Sequence, residues 1–403
     1  MNLLDGQLLT RRLALAATAR LGVIGIARAL NPVLSLPLLG RDGREALDGA
    51  VAHAVDRLDV RAQVGKLSLE QKIAQLFVIK PEAVLGQSPI LSVDDDLKSA
   101  LLGRPVGGVM LKDTSFVDPD QVRNLTQELQ DVSREACGLP MLIAADEEGG
   151  TVVRVADKAS FGVEDPGNMR ELGDAGDVEL AESEAFRVGS YLRDLGVNLD
   201  FAPVADVTDD QDSFVYLRSF GGDPQLVAGM VAAQVRGFSR AGTLCSPKHF
   251  PGIGGAVGDS HVESIFLDKG LDEMRTGELL PFAAAIAEDA PLIMVGHMTC
   301  TGVDPTMPAS LSHVMVTEVL REEMGFDGVV ITDSMGMAAV HELFSQEEMG
   351  VRALEAGCDL ILCPENWYAV YDGIVDALAS GRLSEERIDE SVVRIVRLKR
   401  RIG

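Results

Sequence analysis

The stretch MLIAADEEGG, Met141–Gly150, decides how the chain is read. Five apolar residues of strand length run directly into three acids and a glycine pair, the pattern of a fully buried strand that ends at a polar surface. The same event recurs. Short apolar runs end near Ile79, Leu111, Ala145, Pro203, Phe250, Met298, Asp333 and Pro364, with helical stretches between them. Eight strands alternating with helices predict a closed (β/α)8 barrel, a TIM barrel, over residues 66–403, with an open doubly wound sheet as the competing topology. Helix starts are signalled locally. Ser68 and Gln71 have the spacing of a capping box, and Asp118-Pro119 and Asp223-Pro224 each place an acid at the N-cap and proline in the first turn. Leu383 to Ile402 reads as an amphipathic closing helix.

Composition narrows the function. Of the 403 residues, 36 are Lys or Arg and 62 Asp or Glu, a formal charge of -26 that excludes a nucleic-acid binder working through a basic surface. Hydrophobic residues make up 46%, ample for a large core. Aromatics are only 4%, so a ligand gripped by ring stacking would be short. The five cysteines lack a C-x-x-C spacing and read as buried reduced thiols.

Residues 1–65 form a separate compositional unit, with eight Arg against six acids, whereas the remainder carries 28 cations against 56 acids. Thr10-Arg11-Arg12 before the apolar stretch Leu13–Ala27 resembles an export signal, but Arg20 interrupts it and Asp5 dilutes its basic end. With free cysteines in addition, the expectation is a cytoplasmic protein, export being the alternative. The stretch is too short and too interrupted to span a membrane. Surface helices are the plainer reading of this extension.

In a barrel the active site lies at the carboxyl ends of the strands, so the polar residues there are the candidates. They are Asp146 with Glu147, Glu148 and Arg154; Asp206; Lys248 and His249, followed by a glycine-rich loop and Asp259-Ser260-His261; His297; and Asp333. Each has a plainer explanation. Asp146, Asp206 and Asp333 would serve as helix caps, His297 as a core histidine, and Glu147 and Glu148 as solvated or structural acids. Lys248 would also suit a Schiff-base lysine. Together they describe a polar pocket, in which Asp333 is the candidate nucleophile and His261 the candidate proton donor. Asp259 stands two residues before His261, a spacing that in extended chain puts both on one side, where the acid can fix the imidazole tautomer. No metal or organic cofactor is implied, because the histidines lack ligand spacing.

Lys248-His249-Phe250-Pro251-Gly252 followed by Asp259-Ser260-His261 resembles the signature of family 3 glycoside hydrolases, in their β-N-acetylglucosaminidase branch. Asp146-Glu147-Glu148-Gly149-Gly150 with Arg154, Leu217–Gly221, Pro308–Ser312 and Val330–Met335 are similar to its other blocks, in order. The resemblance covers nearly everything from Ser68 onward. It implies a retaining, exo-acting β-N-acetylhexosaminidase with Asp333 as nucleophile and His261 with Asp259 as acid/base pair. Asp146, Arg154, Arg218, Lys248 and His249 would hold the sugar hydroxyls. The implied partner is a small carbohydrate, from a muropeptide or chitin fragment; no nucleic acid is involved, and oligomeric state stays unassigned. Ile253 departs from the family's second histidine, which puts the closed form of the loop in question. A β-glucosidase on the same barrel and a noncatalytic sugar-binding protein remain as alternatives.

Overall fold

The computed structural model describes residues 56, 58–255, 265–341 and 343–402. The readings of the amino-terminal extension therefore fall almost wholly outside the described residues, and those of Asp259 and His261 entirely so. From Lys66 onward the chain forms one compact unit.

Its centre is an eight-stranded parallel sheet. The strands are β1 (Phe77–Ile79), β2 (Gly108–Met110), β3 (Leu142–Ala145), β4 (Leu199–Asp200), β5 (Leu244–Cys245), β7 (Leu292–Val295), β9 (Val329–Ser334) and β10 (Leu360–Leu362). They are ordered β5-β4-β3-β2-β1-β10-β9-β7. The two ends of this order meet through residues 247–250, where Met294 N donates to Pro247 O at 3.0 Å, Phe250 N to Met294 O at 2.8 Å and Gly296 N to Phe250 O at 2.9 Å. That seam closes a (β/α)8 barrel and excludes the open sheet. Strand interiors such as Phe77, Val78, Ile143 and Ile331 are fully buried, as expected when helices cover a parallel sheet.

The local start signals act as read. Ser68 and Gln71 form a reciprocal capping box, and Asp118 and Asp223 accept from backbone amides of the helices Pro119–Cys137 and Pro224–Ala241. Helix Glu385–Lys399 closes the chain against the barrel. Two strand boundaries differ from expectation. The fourth and fifth regular ladders stop at Asp200 and Cys245, short of Pro203 and Phe250, because Pro203 and Pro247 have no N–H to give the ladder. The sixth strand stops at Val295, and Thr299–Cys300 (β8) instead pairs with Phe266–Leu267 (β6) outside the barrel. Four of the five free cysteines are buried and Cys137 is partly exposed. Among the described residues no helix is long and apolar enough to cross a membrane.

One buried group works against the fold. Lys399 is 1% exposed, and its only hydrogen bond among the described residues goes to Gln75 Oε1 at 2.7 Å. Burial pulls its amine from 10.5 to about 7. Between these values the unfolded chain binds a proton that the folded one lacks, so this group makes stability rise as pH increases from 7. The buried cysteines, pushed up to about 12, act in the opposite sense, but only from about 9 upward. Lys399→Met is expected to gain about 1–2 kcal/mol at pH 7, less than the amine's burial penalty because Gln75 Oε1 loses its donor. Urea unfolding at pH 7 and 9 checks this. The substitution should also flatten the rise between the two pH values, and a less stable variant at pH 7 would refute the reading.

Candidate active site at the open ends of the strands

Asp146, Arg154, Arg218, Lys248, His249 and Asp333 all line one cavity of about 450 Å3 at the carboxyl ends of the strands. That size suits a small ligand. Each arrives by a different route. Asp146 directly follows β3. The chain then turns at Gly149, φ 107°, where a Cβ would come within 2.7 Å of Gly167 O, and returns to present Arg154. Arg218 comes from the long connection after β4, Lys248 and His249 from the seam after β5, and Asp333 from the end of β9. The Lys248–His249 peptide bond is cis.

The acids Glu147 and Glu148, expected to be solvated or structural, are both buried and point to different tasks. Glu147 is structural. Its carboxylate accepts from the amides of Arg154, Val155 and Ala156 at 2.5, 3.0 and 2.9 Å and from Tyr191 Oη at 2.8 Å, fixing the loop that carries Arg154. Glu148 belongs to the cavity. It takes a two-pronged bond from Arg218, at 2.7 and 2.8 Å, and lies 2.5 Å from Lys248 Nζ. Burial pushes its carboxyl up, but Arg218 and Lys248 outweigh this and hold it far below the ordinary carboxylate range.

Lys248 is also 2.9 Å from Asp146, whose other oxygen is 3.4 Å from Arg154. Although burial opposes its charge, the two acids raise the amine above its ordinary value. A Schiff base needs a neutral amine, so this environment argues against the aldolase-like reading of Lys248.

Two histidines have assignable tautomers. His249 Nδ1 lies 2.7 Å from Asp206 Oδ2, an acceptor, so Nδ1 carries the proton and Nε2 faces the cavity, 3.5 Å from Arg218. Asp206 is therefore no helix cap. It also accepts from Ile253 N at 2.8 Å. The anchor at position 253 is thus a backbone amide, which isoleucine supplies as well as histidine would. His297 Nε2 donates to Ser334 O at 3.0 Å, leaving Nδ1 to accept from Ser310 Oγ at 2.7 Å. Burial keeps this imidazole below its ordinary pKa, against the pull of Asp333. His297 is a neutral brace for the end of β9, as a hydrogen-bonded core histidine would be.

Asp333 is the exception to the pairing. Among the described residues it forms no ion pair, and Oδ1 accepts only from its neighbour Ser334 N, at 2.7 Å. Desolvation pushes its carboxyl up, but His249, His297, the Ser334 amide and Lys248 together hold it below its ordinary value. A carboxylate kept ionised yet uncommitted, beside a set of matched charges that offers donors and acceptors to a polyol, has the chemistry of a nucleophile in a saccharide pocket. The cavity also includes Glu148, which the sequence reading took as solvated or structural, and Lys80 and Phe214, which it did not select. Lys80 directly follows β1, so the strand-end rule that found Asp146 had the signal for it.

Comparison with known proteins agrees. Residues 68–398 match the model of the glycosyl hydrolase family 3 N terminal domain. The chain is 34% identical over 334 residues to β-hexosaminidase LpqI of Mycobacterium tuberculosis, covering 80% of this chain and 83% of that protein. It is 31% identical over 332 residues to β-hexosaminidase A of Pseudoalteromonas piscicida, covering 75% of this chain but 55% of the relative. The solved structure of a glycoside hydrolase family 3 β-N-acetylglucosaminidase from Paenibacillus sp. superposes with a TM-score of 0.78 at 39% identity, over 83% of this chain and 62% of that one. The chain thus spans little more than half of two of these three relatives. The match covers the barrel and every cavity residue described above, and on that ground the chain belongs to glycoside hydrolase family 3.

Proposed function

We propose that the protein is a retaining exo-β-N-acetylglucosaminidase that removes terminal β-linked N-acetylglucosamine, from muropeptide or chitin fragments, by double displacement. The observation that carries this reading is the unpaired Asp333 in a cavity whose other acids are matched to cations. An Asp333 oxygen bonds to the anomeric carbon while the bond to the leaving oxygen breaks. That oxygen keeps the electron pair and takes the proton of His261, whose imidazole Asp259 orients. A water oxygen then attacks the same carbon, gives its proton back to His261 and releases Asp333. The roles of His261 and Asp259 rest on the motif they share with the family. Asp146, Arg154, Arg218, Lys248 and His249 bind the ring hydroxyls. The names of the relatives, β-hexosaminidases and a β-N-acetylglucosaminidase, support the choice of sugar.

Initial rates on an aryl N-acetyl-β-glucosaminide and the matching aryl β-glucoside test the substrate. A site that binds the acetamido group should favour the first by about 100-fold in kcat/KM. Faster release from the glucoside would make the protein a β-glucosidase, and binding without turnover of either would make it a sugar-binding protein.

A further inference from the structure

Asp259 and His261 belong to the stretch 256–264, and the chain on either side of it is described. On the entering side it runs from His249 of the cavity through Pro251 to Gly255, with Ile253 N donating to Asp206 at 2.8 Å. On the leaving side it enters β6, which β8 fixes outside the barrel: Thr299 N donates to Ile265 O and Thr301 N to Leu267 O, both at 3.0 Å.

The two limbs meet at one side chain. Glu278, at the N-cap of helix Leu279–Ala287, is 4% exposed. Gly252 has φ 119°, and a Cβ there would stand 2.9 Å from Glu278 Cβ, so glycine lets the entering limb lie directly against the acid. A Cβ on Gly255 would stand 3.4 Å from Glu278 Oε1 and 3.5 Å from Leu267 Cδ1, which puts the limbs side by side. From the leaving limb Lys269 Nζ donates to the same Oε1 at 2.6 Å. Glu278 Oε2 is buried and has no hydrogen bond among the described residues. A buried ion pair with an oxygen left unsatisfied is a poor stabilising device, since packed apolar side chains would serve as well. What apolar side chains would not supply is a directed bond from one limb to the acid on which the other rests.

We propose that Glu278, with Lys269 bound to it, is a positioning residue for protonation of the leaving group: it clasps both limbs of the stretch that carries His261 and so sets the proton donor against the glycosidic oxygen. This rests on the glycosidase reading and adds two residues to its machinery. The effect needs only a small movement, because a displacement of about 1 Å can cost a reacting group about 100-fold.

The test compares two aryl N-acetyl-β-glucosaminides that differ only in the leaving phenol. The 2,4-dinitrophenyl glycoside departs as a stable anion without a proton, whereas the phenyl glycoside needs one. In Glu278→Gln and Lys269→Met, kcat/KM on the phenyl glycoside relative to the dinitrophenyl one should fall by at least about tenfold, part of the ~10²–10⁴ that a placed acid contributes. Lys269→Arg should retain most of the wild-type ratio, and His261→Ala should lower it further than either variant. A purely structural role would lower both rates together and leave the ratio unmoved. If Glu278→Gln does not fold, Lys269→Met decides, because it reaches the same pair from a half-buried side chain. An unchanged ratio in Lys269→Met beside a fallen one in His261→Ala overturns the proposal and leaves the glycosidase reading standing. An unchanged ratio in His261→Ala overturns both the proposal and the choice of proton donor, and no turnover of either substrate by the wild type overturns the glycosidase reading as well.

Discussion

Asp333→Asn is expected to lower kcat on an aryl N-acetyl-β-glucosaminide by at least about 1000-fold, with little change in the unfolding midpoint. The amide has nearly the shape of the acid but no charge and negligible nucleophilicity, so the proposed double displacement loses its attacking group. A 1000-fold loss corresponds to about 4 kcal/mol of transition-state stabilisation. Stability should be spared because Asp333 contributes little to the fold: its one hydrogen bond is to the adjacent amide, and no cation is committed to it among the described residues. The environment that holds its carboxyl below the ordinary value has a kinetic consequence. The Asp333 carboxylate stays ionised below the usual Asp range, about 3.9, so an acid limb in kcat/KM above that pH belongs to another group. Single-turnover measurement of aryl release separates the attack from later steps. A variant as fast as wild type in that first release would remove Asp333 from the mechanism.

The parts of this architecture legible in the sequence are those set by near neighbours. Ser68 with Gln71, and the acid-proline pairs at Asp118 and Asp223, act within one turn of helix, and each caps as its spacing implies. Apolar runs ending in polar residues located Asp146, Lys248, His249 and Asp333, because the same position at the end of each parallel strand opens onto the same face. What the sequence concealed depends on partners far along the chain. Glu147 and Glu148 look alike in sequence, but successive side chains in extended chain point opposite ways. One therefore ties down the return loop and Tyr191, whereas the other meets Arg218, 70 residues later, and Lys248. Asp206 reads as a cap until His249, 43 positions on, is found against it. The missed β6–β8 ladder has strands of two residues each, too short to leave a pattern of period two.

The barrel's opposite end holds the charge cluster with the largest expected effect on stability. Asp359 directly precedes β10 and is fully buried. One of its oxygens accepts from Arg321 Nη2 at 2.6 Å and Val330 N at 3.0 Å, the other from Ser391 Oγ at 2.7 Å and Arg394 Nη1 at 3.0 Å. A single carboxylate thereby joins the start of β9, the helical segment Val314–Glu323 and the closing helix Glu385–Lys399. Burial pushes its pKa up, but Arg321, Arg394 and Arg387 outweigh this and lower it. Replacing the acid by Asn turns one acceptor into a donor that faces other donors and leaves two guanidinium groups short of their counter-charge. Asp359→Asn should therefore cost about 3–5 kcal/mol in urea unfolding at pH 7. Its pH dependence has a definite sign. A carboxyl whose folded pKa is depressed contributes stability above its unfolded value, near 3.8, and loses it as pH falls through the lower, folded value. The gap between wild type and variant should accordingly narrow in acid. Combining Asp359→Asn with Arg321→Ala should cost less than the sum of the single changes, because both break one contact. Turnover at temperatures where the variant stays folded should be nearly unchanged, since Asp359 lies at the strand's amino end and the catalytic cavity at the carboxyl ends. A loss below about 1 kcal/mol would mean that the arginines find other partners and that the acid does not hold this end of the barrel together.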